Sequence, residues 1–302
     1  MTHQPADLDR SRFDAVLPPE MAARAELVGI RKVGLDAVSL FALAVLAGAF
    51  ISLGAIFATT VSAGAADLPF GLVRLMAGLA FSLGLILVVI GGAELFTGNT
   101  LIVMAWASGK VSSANILRNW SIVYIGNFVG ALATVVVMFV TGQYAFGDGS
   151  VGLTALVIGN AKAGLEFVPA LAPGMMCNAL VCLAVWLTFS ARTTTDRILA
   201  IVPPIAAFVA AGFEHSVANM YLIPEAIAIK NFAPDSFWAA TDRVPADFPD
   251  VTIEGFLANL LPVTIGNVIG GAVMVGVVYW FVYLRGAGRG RSLASSDEQV
   301  TS

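Results

Sequence analysis

Charged residues are scarce in this sequence. Asp, Glu, Lys and Arg make up 12% of the 302 residues, whereas hydrophobic residues make up 58%. The mean hydropathy is +0.86. A soluble domain carries roughly twice this share of charge. Because the excess apolar surface has to face lipid, the composition predicts an integral membrane protein, whose partners include the lipid bilayer.

Positive charge is also scarce, which excludes a second class of protein. With a net charge of −4 and a pI near 5.1, the chain offers no basic surface of the kind that binds nucleic acid. The polar first thirty residues lack the apolar core and small-residue cleavage site of a signal peptide. They predict a cytoplasmic tail, partly helical from Pro18 onward.

Cysteine and histidine are nearly absent, which argues against a metal site. Cys177 and Cys182 are the only cysteines, and five residues apart on a helix they do not face each other. We expect buried thiols, no metal and no cofactor. Of the two histidines, only His215 lies outside the N-terminal tail.

Long apolar runs are abundant, and a run of about 20 residues crosses a bilayer. They predict three parts of the chain: a tail over residues 1–32, a six-helix membrane domain over 33–285, and a C-terminal cytoplasmic tail over 286–302. Of the sixteen Lys and Arg residues, twelve fall on the side of the N-terminus, so both termini are expected in the cytoplasm. The six apolar stretches are roughly 34–60, 70–107, 119–141, 170–191, 198–223 and 257–284.

The sequence contains an internal repeat. The segment GGAELFTGNT at 91–100 is echoed by GFEHSVANMY at 212–221, and GNFVG at 126–130 by GNVIG at 266–270. Chance similarity between apolar segments is the alternative, but two matches in the same order argue against it. Three spans per copy give the copies opposite topology, and paired helix interruptions in such repeats indicate a transport site at the membrane midplane.

Three ionisable residues lie deep inside the spans, namely Glu94, Glu214 and His215. Such residues are costly in a membrane and indicate function. We expect His215 to lie where a polar species passes; a histidine that only packs helices is the alternative. Glu94 and Glu214, with Asn99 and Asn219, are expected to be structural, the glutamates accepting bonds from backbone N–H groups freed at the breaks. A proton relay is the alternative for the glutamates.

The glycines of the GNxxG segments are predicted to allow close helix packing, with Asn127 and Asn267 bonded across helices. We also take these small-residue faces as favouring assembly of several copies.

Six segments of the chain are distinctive, namely GAELFTGN, WASGKVS, VYIGNFVGAL, NALVCLAVW, GFEHSVANMYLIP and LPVTIGNVIGG. Through these segments the chain resembles the formate/nitrite transporter family over nearly its whole length. This resemblance implies an all-α integral membrane fold like that of aquaporins, with six transmembrane helices in two inverted three-helix repeats and interrupted second and fifth helices. It also implies a homopentamer in which each protomer passes small monovalent anions.

The resemblance also implies roles for particular residues. His215 matches the central pore histidine, Thr97 the threonine that bonds it, Asn178 a pore-lining asparagine, and Lys162 a lysine that attracts anions at the outer vestibule. Core packing is the alternative for the residues that match the family's apolar constrictions. Those residues are Phe81, Leu85, Leu95, Phe96, Val181 and Phe208.

The expected function is passage of a weak-acid anion, most like formate, through the inner membrane. Histidine has an unperturbed pKa of about 6.5, so His215 is suited to donate a hydrogen bond or a proton to the anion. Nitrite, hydrosulfide and acetate are alternatives within the family. An intramembrane enzyme is a remote alternative, because the sequence has no HExxH or GxSxG motif. A water-type pore would require NPA-like motifs at both breaks, and these are also absent.

Overall fold

The protein is all-helical in its computed structural model, which describes residues 15–65 and 67–286. The first fourteen residues and the predicted C-terminal tail from 287 onward lie outside the described residues, and the division of the chain into three parts stays a prediction. The helices are α1 Pro18–Val33, α2 Ala37–Ser62, α3 Phe70–Gly91, α4 Phe96–Ala107, α5 Ser113–Thr141, α6 Ser150–Ala163, α7 Phe167–Ser190, α8 Thr194–Ala211, α9 Ser216–Phe232, α10 Asp235–Thr241 and α11 Ile253–Tyr283.

Six of these helices are long and apolar enough to cross a membrane, namely α2, α3, α5, α7, α8 and α11. They fall on the six predicted stretches. Polar side chains mark their ends: the Asp36 carboxylate accepts hydrogen bonds from the backbone N–H groups of Ser39 and Val38 at the start of α2. These bonds, that of Ser39 first, hold the pKa of Asp36 below its usual value. The predicted fold class is confirmed.

The second and fifth spans are interrupted, as predicted. Gly92 ends α3 and Gly212 ends α8, each in the left-handed conformation with φ of 78°. This conformation favours glycine because it has no Cβ. The chain then runs extended through Leu95 in the first repeat and His215 in the second before α4 and α9 begin. Each break therefore places the start of a new helix inside the protein.

The two halves pack in the same way. α2 packs against α3 and α5, and α7 packs against α8 and α11. The helix before each trio also has a counterpart, because α1 and α6 both carry a lysine, Lys32 or Lys162, in the last turn. α1 packs against α4, α7 and α11. The described part of the predicted N-terminal tail is therefore a packed helix of the fold.

The structure differs from the sequence reading in two other places. The segment 225–256, which separates the predicted apolar stretches 198–223 and 257–284, contains the end of α9 and the whole of α10. Residues Ile269–Val277 within α11 form a π-helix, whereas the corresponding part of α5 is regular α-helix. Such widened turns are rare and occur often at functional sites.

The GNxxG glycines allow close approach within one protomer. A Cβ on Gly130 would lie 2.0 Å from the carbonyl oxygen of Val45 on α2, and a Cβ on Gly270 would lie 2.0 Å from that of Met175 on α7. The predicted close helix packing is confirmed. These faces are covered inside the chain, so using them as support for an oligomer was wrong.

Candidate functional site

Two cavities lie on either side of the protein's middle. One, the Lys162 cavity, has a volume of about 430 Å³, and its lining includes Arg74, Lys162, Glu214 and His215. The other, the Lys32 cavity, has a volume of about 390 Å³. Each cavity thus contains one of the two repeat-related lysines. The Lys32 cavity is lined in part by Arg24, Arg31, Lys32, Leu85, Glu94, Leu95 and Arg197.

A thin layer of protein closes the path between the two cavities. Phe81 lines the Lys162 cavity and Leu85, one turn further along α3, lines the Lys32 cavity. One helical turn rises only about 5.4 Å. At this closure lie His215, 2% exposed, and Thr97, fully buried. These two side chains therefore lie between the two cavities.

His215 joins the two interrupted helices. Its Nδ1 accepts a hydrogen bond from the backbone N–H of Ala218 at 3.0 Å, which makes it the N-cap of α9. Its Nε2 lies 3.0 Å from Oγ1 of Thr97 in the first turn of α4. Because Nδ1 is an acceptor here, the proton of a neutral ring is on Nε2. The Nε2–H group then donates a hydrogen bond to Oγ1 of Thr97.

Aromatic rings cover His215 on the side of the Lys162 cavity. The ring of Phe208 stacks on the imidazole with 6.0 Å between the ring centroids, and Phe81 meets Phe208 edge-on at 5.6 Å. Both phenylalanines line this cavity. An anion approaching His215 from there would lose water against apolar rings before it met the imidazole.

Asn178 lies behind Thr97 and does not line either cavity. Its Nδ2 donates to the backbone oxygen of Asn267 at 2.6 Å and to that of Thr97 at 3.2 Å, and Thr100 donates its hydroxyl to the same Thr97 oxygen at 2.6 Å. These bonds fix the backbone that presents the Thr97 hydroxyl to His215. In this structure Asn178 thus supports the closure, and its place along the pore stays a prediction.

The two glutamates form ion pairs. Lys32 Nζ lies 2.7 Å from Glu94 Oε1, and Lys162 Nζ lies 2.7 Å from Glu214 Oε1. The second carboxylate oxygen of Glu94 accepts a bond from Asn99 at 2.7 Å. The corresponding bond joins Asn219 to Glu214, also at 2.7 Å. Lys162, expected to attract anions at the outer vestibule, is therefore paired with a carboxylate in this structure, and that role stays a prediction.

Asparagines, and not the glutamates, bind the freed backbone N–H groups. Asn127 Oδ1 accepts from the N–H of Phe96 and Asn267 Oδ1 from the N–H of Ser216, both at 2.9 Å. Each Nδ2 donates to two backbone oxygens, one of them that of the glutamate at the break, Glu94 or Glu214. Our assignment of these N–H groups to the glutamates was wrong, and the prediction that both asparagines bond across helices is confirmed.

The predicted constriction residues divide into three groups. Phe81 and Phe208 line the Lys162 cavity, and Leu85 and Leu95 line the Lys32 cavity. Phe96 and Val181 line neither. The Phe96 ring packs edge-on against Tyr124 and Trp120 with centroid distances of 4.9 and 6.1 Å. Val181 is 1% exposed in the hydrophobic core.

The sequence reading missed Lys32 and the second pair of amides. Asn119 donates from Nδ2 to the backbone oxygen of Lys32 at 3.2 Å, and Asn259 donates to that of Lys162 at 2.8 Å. A signal for Lys32 exists: KVGLD at 32–36 matches KAGLE at 162–166 with an offset of 130 residues. No comparable sequence match points to Arg74. This residue donates to the backbone oxygens of residues 209 and 210 at the end of α8.

Six spans in two inverted halves, with two cavities that meet at a buried polar contact, define a membrane transport protein. The family model for "Formate/nitrite transporter" matches residues 19–281. The chain therefore belongs to the formate/nitrite transporter family, and it is a transporter and not an enzyme.

Named relatives support this assignment. The chain is 45% identical over 274 residues to the formate channel FocA of Escherichia coli (strain K12), covering 90% of this chain and 96% of that protein. It is 40% identical over 264 residues to the FocA of Haemophilus influenzae, covering 87% and 93%. A solved structure described as a pentameric formate channel with formate bound superposes with a TM-score of 0.79 at 50% identity, covering 82% of this chain and 98% of that one.

Proposed function

We propose that the protein is a formate channel of the inner membrane that assembles as a homopentamer, each protomer having its own path. The relatives named above support formate and the pentamer. The main support for a path through each protomer is the contact between His215 and Thr97, which lies between the two cavities. Nitrite, a small monovalent anion named with the family, is the alternative substrate.

The proposed orientation places both termini in the cytoplasm. The excess of Lys and Arg on the side of the N-terminus supports this arrangement. The Lys32 cavity then opens to the cytoplasm and the Lys162 cavity to the outside. Arg74 and Lys162 against the single carboxylate of Glu214 leave the outer cavity with an excess positive charge that attracts anions.

In the proposed mechanism His215 acts first as a hydrogen-bond donor. Formate that reaches the closure takes the Nε2–H bond that Thr97 receives in this structure. A hydrogen bond to a charged acceptor is stronger than one to a neutral hydroxyl, so the exchange offsets part of the cost of losing water. The anion then continues past Leu95 into the Lys32 cavity.

Transfer of a proton from His215 needs an additional step. A neutral imidazole is a poor acid, so the ring has to be protonated at Nδ1 before Nε2–H is given to formate. Nδ1 accepts the N–H of Ala218, and a proton there would break the cap of α9. The geometry thus favours hydrogen-bond donation, with proton transfer coupled to a movement at the start of α9.

The test is a flux panel in proteoliposomes with formate, nitrite, hydrosulfide, acetate and chloride. The pH is varied between about 5 and 8, which brackets the ordinary histidine pKa. We expect formate to pass fastest and its flux to depend on pH. Preference for nitrite would select the alternative substrate, and equal passage of chloride would overturn a weak-acid channel. Liposomes with Thr97→Val protein, which lacks the hydroxyl but keeps the shape, serve as the matched control for the closure.

A further inference from the structure

Glu225 is a buried carboxyl that forms no ion pair with any residue that the structure describes. It lies on α9 and is 6% exposed, and its Oε2 has no hydrogen-bond partner among the described residues. The other two glutamates at depth differ from it, since Glu94 and Glu214 each have a lysine nitrogen at 2.7 Å. The mechanism above does not use Glu225.

A cavity of about 10 Å³ lies beside this carboxyl. A space of roughly this volume accommodates one water molecule when polar groups surround it. Its polar lining comes from α2, from the turn before α6 and from α9, in the form of Thr59, Gln143, Tyr144 and Tyr221. The α6 side contributes only apolar residues. The two tyrosines are the only other titratable side chains in this lining, which among the described residues contains no Lys or Arg.

The small cavity adjoins the transport path. Thr59 and Leu222 line both it and the Lys162 cavity, so the two spaces are separated by single side chains. The charged groups that line the Lys162 cavity on the far side of this wall are Arg74, Lys162 and Glu214. Lys162 and Glu214 are bonded to each other, and Arg74 donates to backbone oxygens at the end of α8. Glu225 also shares α9 with His215, ten residues earlier, a distance of about 15 Å along a helix.

We propose that Glu225 is a proton-binding site in the wall of the Lys162 cavity. An ionised carboxylate buried without a partner costs so much free energy that such a group takes up a proton instead. The protonated carboxyl gains a donor, and a water in the small cavity provides its acceptor. Thr59, at the common wall, is placed to pass the proton between this water and the Lys162 cavity. Loss of the proton leaves a charge against α2 and α6, which shifts the helix that His215 caps.

Infrared difference spectroscopy of the full-length protein, titrated with pH, tests the site directly. We expect a protonated-carboxyl band that persists at neutral pH in the native protein and in Glu254→Gln, an exposed outer-face control. This band should be missing in Glu225→Gln. An unchanged spectrum for Glu225→Gln would overturn the proposal. So would a native band that vanishes when sodium chloride replaces choline chloride, because Glu225 would then hold a cation.

A second measurement follows thermal unfolding of the assembled protein against pH. The native protein should lose stability as the pH is raised, because deprotonation leaves Glu225 charged and unpaired, whereas Glu225→Gln should lack this loss. Parallel curves for the two proteins would contradict the proposal. Neither measurement involves formate, so either can fail while the proposed function stands.

Discussion

His215 has both ring nitrogens bonded, and the two bonds belong to different helices. Nδ1 completes α9 by accepting from Ala218, and Nε2 reaches Thr97 at the start of α4. One side chain thus stabilises one half of the closure and connects it to the other. The corresponding residue of the first repeat is Leu95, so the fold of the break does not itself require a histidine.

We predict that His215→Asn keeps the fold and changes the pH dependence of flux. Asparagine is a good N-cap, so it can replace Nδ1 as the acceptor for Ala218, but it has no group that titrates near neutrality. His215→Ala, which lacks the cap, should lower stability by about 1 kcal/mol relative to His215→Asn. Formate flux between about pH 5 and 8 and melting of the oligomer are the measurements. A pH profile of His215→Asn that overlays the native one would exclude His215 as the group that responds to pH.

We predict that Lys162→Met destabilises the protein more than the double substitution Lys162→Met with Glu214→Gln. The single change leaves the carboxylate of Glu214, whose side chain is 5% exposed, without its cation. Breaking a buried pair from one side costs on the order of 3 kcal/mol, whereas replacing both partners is often nearly neutral. Melting temperatures of the native, single and double forms decide this, and equal losses for the single and double forms would contradict it.

At the scale of the helices, the position of each break was predictable and its support was not. GGAELFTGNT and GFEHSVANMY combine glycine with polar residues inside long apolar runs, which is a local signal. The acceptor for the N–H of Phe96, Asn127, lies 31 residues away and contacts it only in the folded structure. Local sequence carries no information on such a pairing. For this reason Glu94 and Glu214 were wrongly predicted to accept the backbone N–H bonds that Asn127 and Asn267 accept.

We predict that Gly130→Ala and Gly270→Ala disrupt folding while Gly71→Ala does not. The new Cβ would lie 2.0 Å from a backbone carbonyl oxygen at either of the first two positions, and a backbone atom cannot rotate aside as a side chain does. At Gly71 nothing lies within 4 Å. Overpacking typically costs about 1–3 kcal/mol and more where relaxation is blocked. The yield and melting temperature of assembled protein provide the comparison, and native-like values for Gly270→Ala would argue against the observed packing.

At the scale of the whole molecule, the two halves share a geometry but differ in charge. The Lys162 cavity has two cations, Arg74 and Lys162, and one carboxylate. The Lys32 cavity has four cations and one carboxylate, because α1 adds Arg24 and Arg31, which have no counterpart in the lining of the other cavity. Arg197, near the start of α8, corresponds to Arg74, near the start of α3. The sequence contains the repeat and the Lys-x-Gly-Leu segments that relate the two halves. It predicted α1 as part of a cytoplasmic tail, because the mixed polar composition of this helix gives no sign that it packs against the membrane helices.

The charge difference predicts a direction-dependent effect of salt. Salt at 0.1 M screens the attraction between mobile anions and exposed charges over about 10 Å. The cavity with more uncompensated cations therefore loses more of its attraction for anions when salt is added. We therefore expect formate flux out of the proposed cytoplasmic side, through the Lys32 cavity, to fall more steeply with ionic strength than flux in the opposite direction. The combined substitution Arg31→Gln and Arg197→Gln removes two cations from this lining and should bring the two salt slopes together.

The control for this experiment is Arg118→Gln, which removes a cation from the same predicted side. Arg118 donates to the backbone oxygen of Leu35 on the surface and does not line the cavity. Its salt slopes should match those of the native protein. The measurement uses vesicles with the protein in one orientation, loaded with formate inside or outside, over a range of an inert salt. Equal slopes in both directions for the native protein would show that the cations of the Lys32 cavity do not collect the anion, and the role of that cavity as a charged mouth would have to be abandoned.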